Sequence, residues 1–201
     1  MTLSASTLSG YFCRLHQKFT RPDELFDVSW TGQDLSPRDL IRWEVDRLGL
    51  SVTPARVGFT FEHVIERLVL LPPDDLQKLL CGAGALAIPT HFRHCINGTL
   101  LRELQTTIGA TAYNHLMNRL DINGSFSAQP EWSVESLCRD GWSQLLSHSD
   151  RKYPLVICLL KAALPKHFGL CAATGFPKIQ PASFPWDGLK ALYPEFRWLF
   201  G

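Results

Sequence analysis

The 201-residue chain has almost no net charge, with 20 Lys+Arg against 19 Asp+Glu. It therefore lacks the long-range field with which nucleic-acid binders gather phosphate, and no run of Lys or Arg replaces it. Nucleic acid is not expected as a partner. Apolar runs are short: Leu155-Val156-Ile157-Cys158-Leu159-Leu160 stops at Lys161, and Leu68-Val69-Leu70-Leu71 stops at Pro72-Pro73. Neither approaches the roughly 18 residues of a membrane span. The first ten residues carry no basic segment and no continuous apolar core, so no secretory signal is expected. The catalytic signatures are missing as well. There is no Gly-x-Ser-x-Gly elbow and no Gly-x-x-x-x-Gly-Lys-Ser/Thr loop, and Gly82-Ala83-Gly84 follows a helical pattern instead of the strand a dinucleotide loop needs.

What is present is a chain with 45% hydrophobic residues, 13 Pro, 14 Gly and 6 Trp. This is the composition of a globular body with sharply punctuated loops, and it excludes disorder for most of the length. Six cysteines stand singly at 13, 81, 95, 138, 158 and 171. A chain of this size needs no disulfide staples, so these read as reduced, mostly buried thiols.

Helical periodicity runs through the sequence. Ser36-Pro37-Arg38-Asp39 opens a helix to Gly49 with Ile41, Val45 and Leu48 on one face. Phe61, Val64, Ile65, Leu68 and Leu71 make a second stripe that Pro72-Pro73 ends. Between these helices, Ser51 to Thr60 could hold a short strand. Asp74-Asp75 opens a third helix with Leu76, Leu79, Leu80 and Ala83 inward, after which Gly82 and Gly84 would let another backbone approach closely.

Thr90 starts a helical stripe through His91 to Ile96, then Leu100, Leu101, Leu104 and Ile108, with a break near Asn97-Gly98 and Gly109 closing it. Ala112 to Leu120 follows, and then a polar loop, 121–130. Trp132-Ser133 with Leu137 forms a staple around a Ser cap, opening a helix to about Ser147. Asp150 begins a core helix that Pro165 stops. Residues 166–185 show no period, and Trp186 to Phe200 reads as one short apolar helix. Sustained period-2 alternation is absent, so the fold class is all-α: a single irregular helical domain over 1–201, with little or no strand and an apolar C-terminal tail, 166–201, packing on the body.

Two constellations could carry chemistry or binding. His91, His94 and Cys95 have ligand character and two histidines three apart, which would suit a small metal-binding regulator or enzyme, but no second ligand pair completes the set. The other reading is two surface imidazoles beside a buried thiol. Residues 151–178 carry Arg151, Lys152, Lys161, Lys166 and Lys178 without a carboxylate. This is either a solvated face or a docking surface for an acidic protein, to which Arg151, Lys152, Lys161 and Lys166 would contribute, with Trp30 as a buried anchor.

The run Arg67-Leu68-Val69-Leu70-Leu71-Pro72, then Leu76-Gln77-Lys78-Leu79-Leu80, His91-Phe92-Arg93-His94-Cys95-Ile96-Asn97-Gly98, Leu100-Leu101-Arg102-Glu103-Leu104 and Ile108-Gly109-Ala110-Thr111-Ala112-Tyr113 resembles the SctK (YscK) proteins of bacterial type III secretion systems. Phe26-Asp27-Val28-Ser29-Trp30 and Gly141-Trp142 with Pro154 to Pro165 extend the similarity over residues 20–165. The chain departs from the family pattern at Pro89-Thr90-His91, where members tend to carry a Gly-Glu pair. The resemblance implies a non-enzymatic, cofactor-free cytoplasmic scaffold of the injectisome sorting platform, held at the inner membrane through partners. Those partners would be an SctD-type ring protein and an SctQ-type pod protein, with SctL-type stator and SctN-type ATPase components further inward. A chaperone of secreted proteins would instead be smaller, acidic and of mixed sheet and helix.

Overall fold

The computed structural model describes residues 4–20, 59–88, 92, 95–118, 132–149, 153–165 and 184–201. Among them every regular element is helical: α1 Ala5–Thr20, α2 Val64–Leu68, α3 Pro73–Ala87, α4 Gly98–Ile108, α5 Ala110–Asn118, α6 Val134–Ser149, α7 Pro154–Ala162, α8 Trp186–Leu192, a 3-10 turn Pro194–Phe196 and α9 Arg197–Phe200. The protein is mainly α, as the periodicity requires. The helix expected over 36–49, most of the ambiguous segment 51–60 and the polar loop 121–130 lie outside the described residues. Thr60, which is described, is not in a strand.

The chain divides into two compact units, Met1–Leu76 with Ser149–His167 and Gly201, and Gln77–His148 with Phe168–Phe200. In the first, Tyr11 and Leu15 of α1 are buried together with Phe61, Ile65, Leu68, Leu71 and the apolar side chains Val156, Ile157, Leu159 and Leu160 of α7. Helix α2 is shorter than its stripe. The pattern from Phe61 to Leu71 is not one helix, because Phe61 has φ of +53°, a conformation a bulky residue enters only under constraint, and helical geometry begins after His63.

The constraint comes from two adjacent charged residues that are themselves buried, Glu66 and Arg67. Arg67 Nε donates to the Phe61 carbonyl at 2.7 Å and its Nη2 to the Glu62 carbonyl at 3.0 Å. Glu66 accepts from the Thr60 amide at 3.1 Å, the Thr60 hydroxyl at 2.8 Å and, more distantly, the His63 amide at 3.5 Å. The amides of Thr60 and His63 and the carbonyls of Phe61 and Glu62 are thus held by charged groups, and such bonds are the stronger kind. Phe61 is then packed by Tyr11, Phe12 and Phe59, with ring centroids 5.5, 5.2 and 5.4 Å away.

In the second unit the expected close approach is present and involves a glycine on each side. A Cβ on Gly84 of α3 would overlap the Leu137 carbonyl of α6, and one on Gly141 of α6 would overlap the Leu80 carbonyl of α3. The pairs Gly84 with Leu137 and Leu80 with Gly141 run in opposite sequence directions, so the two helices cross antiparallel, backbone on backbone. Leu79, Leu80, Ala83, Leu137 and Leu145 are buried in this unit.

Caps fix where the helices start and stop. Asn97 Oδ1 accepts from the amides of Thr99 and Leu100 at 3.1 and 3.2 Å, which is why the helical stripe breaks there and α4 begins at Gly98. Gly109 ends α4 at φ +87°, ψ 150°, a region that only glycine enters readily. Ser133 Oγ accepts from the Ser136 amide at 3.0 Å while Ser136 Oγ accepts from the Ser133 amide at 2.8 Å, a reciprocal pair that opens α6. Trp132 meets Phe92 edge-on at 4.9 Å. The core helix expected from Asp150 begins at Pro154, where the ring's fixed φ suits the first helical position.

The segment expected as one helix from Trp186 to Phe200 is three pieces, because Pro194 cannot continue α8. Its apolar positions are nevertheless inward: Leu189, Leu192, Phe196 and Leu199 are buried, and so is Tyr193.

Candidate partner-binding surface

The structure separates the sequence candidates. Trp30, Arg151, Lys152 and Lys166 lie outside the described residues, as do His91 and His94. Lys161 is described and is 7% exposed. It sits in the last turn of α7, where Val156, Ile157, Leu159, Leu160 and Ala162 are also buried, and it has an interaction of its own within the protein. This corrects its expected place on an exposed basic face: α7 is apolar nearly all round, so a cation on it is enclosed with its neighbours.

Cys95 is half-buried, not buried as expected, and its Sγ–H is turned toward the Asn97 carbonyl at 3.8 Å. Among the described residues no three His, Cys, Asp or Glu side chains are grouped to hold a metal ion. The thiols at 13, 81, 95 and 138 are all free. Cys13 is exposed, because it falls on α1 away from Tyr11 and Leu15.

Cys81 and Cys138 lie at the α3–α6 crossing and are buried. Burial pushes the Cys138 thiol up to about 12, with the Glu135 carboxylate adding to it, and pushes Cys81 higher still, with Cys138 and Glu103 adding to it. Neither is a nucleophile at neutral pH, in keeping with their expected place as buried, reduced thiols. A consequence for stability follows. Both thiols stay protonated in the fold while the unfolded chain ionises them near 9.0. Their contribution is complete below about pH 9 and is lost as the pH rises from there toward 12, at about 1.4 kcal/mol per pH unit for each thiol. The urea midpoint should fall between pH 8 and pH 10, and a Cys81→Ala/Cys138→Ala double variant should fall less steeply; equal slopes would show that the thiols do not carry the effect.

Sequence reasoning passed over a knot centred on Lys78. The Tyr193 hydroxyl donates to the Lys78 carbonyl at 2.8 Å, and the Tyr193 ring lies against Gly82 so closely that a Cβ there would overlap it. Lys78 Nζ meets Glu195 Oε1 at 2.7 Å and stands 5.2 and 5.3 Å from the ring centroids of Tyr193 and Phe196. Burial holds the Tyr193 phenol well above its ordinary range. An ion pair with side chains 24% and 47% exposed is worth about 0–1 kcal/mol, whereas each fully buried leucine contributes about 1.5–3 kcal/mol. Burial of Leu189, Leu192 and Leu199 therefore does more to hold the C-terminal segment than the Lys78–Glu195 pair. The only sequence signal was the pairing of Gly82 with a distant aromatic residue, which one sequence does not reveal.

The exposed large apolar side chains among the described residues are Phe12, 44% exposed, and Ile96, fully exposed. Ile96 was expected in the helical stripe; with Asn97 capping α4 it stands outside the helix, and Leu100 and Leu101 behind it are half-buried. No described helix is long and apolar enough to cross a membrane.

The family model for YOP proteins translocation protein K (YscK) matches residues 33–156. The chain belongs to the YscK family. It is thereby a type III secretion protein, and the matched span takes in α2 through α6 and the start of α7. No curated protein and no solved structure matches the chain. The YscK match covers the leucine helices, the Asn97-capped turn and Gly109 on which the central part of the resemblance rests, but not Phe26–Trp30 and not the end of the Pro154 to Pro165 stretch.

Proposed function

We propose that this YscK-family chain is a non-enzymatic adaptor of the type III secretion sorting platform, working at the cytoplasmic face of the inner membrane. It links the cytoplasmic domain of an SctD-type ring protein to an SctQ-type pod protein, with SctL-type and SctN-type components joined through the pod. The observation that carries this reading is the family match over residues 33–156. The helical architecture is compatible with it, since a mainly α body presents helix surfaces on which protein partners can dock.

The test is a two-sided capture in the native bacterium. A tagged copy of this chain, isolated in mild detergent, should bring ring, pod and ATPase components identified by mass spectrometry. Capture through the ring protein in a strain lacking this chain should then fail to bring the pod protein. Pod recovery undiminished in that strain would remove the linking role.

A further inference from the structure

We draw no further inference here: the strongest candidate, the aromatic cluster in which Phe12 of α1 stands half-exposed and edge-on against Phe61, is an unpartnered apolar face, and nothing in the structure shows what covers it.

Discussion

Replacing Gly84 by alanine should lower the stability of the protein by about 3 kcal/mol or more, the upper end of what overpacking costs, because the new methyl meets a main-chain carbonyl that cannot rotate away. The same holds for Gly141→Ala, whose methyl would enter the Leu80 carbonyl and come within 3.2 Å of the Gly84 amide nitrogen. To fit either one, α3 and α6 must separate along their length, which also loosens Leu79, Leu80, Leu137 and Leu145. Gly10 of α1 is the internal control. It is helical and exposed and has nothing among the described residues within 4 Å of where a Cβ would stand, so Gly10→Ala should stabilise by about 0.5–1 kcal/mol through helix propensity alone. Urea unfolding of the three variants decides the matter. A midpoint for Gly84→Ala that moves with Gly10→Ala, or does not move, would mean that the helices do not touch at this place.

How much of this was legible beforehand depends on the range of the interaction. Local devices were readable: the cap at Ser133, the break before Gly98 and the positive-φ glycine at 109. Each is decided within four or five residues by sterics or a side chain bonding to nearby backbone. Devices that depend on which partner one side chain chooses, near or far along the chain, were not. The stripe from Phe61 to Leu71 has helical spacing, yet Glu66 and Arg67 satisfy the backbone of residues 60 to 63 and leave the helix only Val64–Leu68. Tyr193 on Gly82 pairs positions more than a hundred residues apart. Lys161 illustrates the same limit from the other side, since a cation after a six-residue apolar run reads as the polar end of a helix until α7 is seen to be enclosed. Of the candidate binding residues, Trp30 and the cations at 151, 152 and 166 fall outside the described residues, and the function rests on the family. That division is physical. Packing motifs identify a scaffold by its shape, whereas a docking surface is defined by the partner it fits and leaves no periodic trace in one chain.

Removing the Arg67 side chain should be comparably severe, about 3–5 kcal/mol for Arg67→Ala. Arg67 is 5% exposed, and among the described residues its side chain makes three contacts that matter here. It satisfies the Phe61 carbonyl, it satisfies the Glu62 carbonyl, and its carbon lies 5.9 Å from the ring centroid of Tyr11 on α1. Without it a buried carbonyl is orphaned and the positive φ at Phe61 loses the bond that holds it. Arg67→Lys keeps the charge but not the planar fork, so it cannot reach both carbonyls in the same geometry and should recover only part of the loss. Because Tyr11 and Leu15 of α1 are buried in the same unit, the damage should spread to that helix. Amide hydrogen exchange in Arg67→Ala should therefore rise in residues 5–20 as well as in 60–68, with α4 and α5 unaffected. Exchange that rises only at 60–68 would show that α1 is held by its aromatic contacts to Phe61 and not by the arginine.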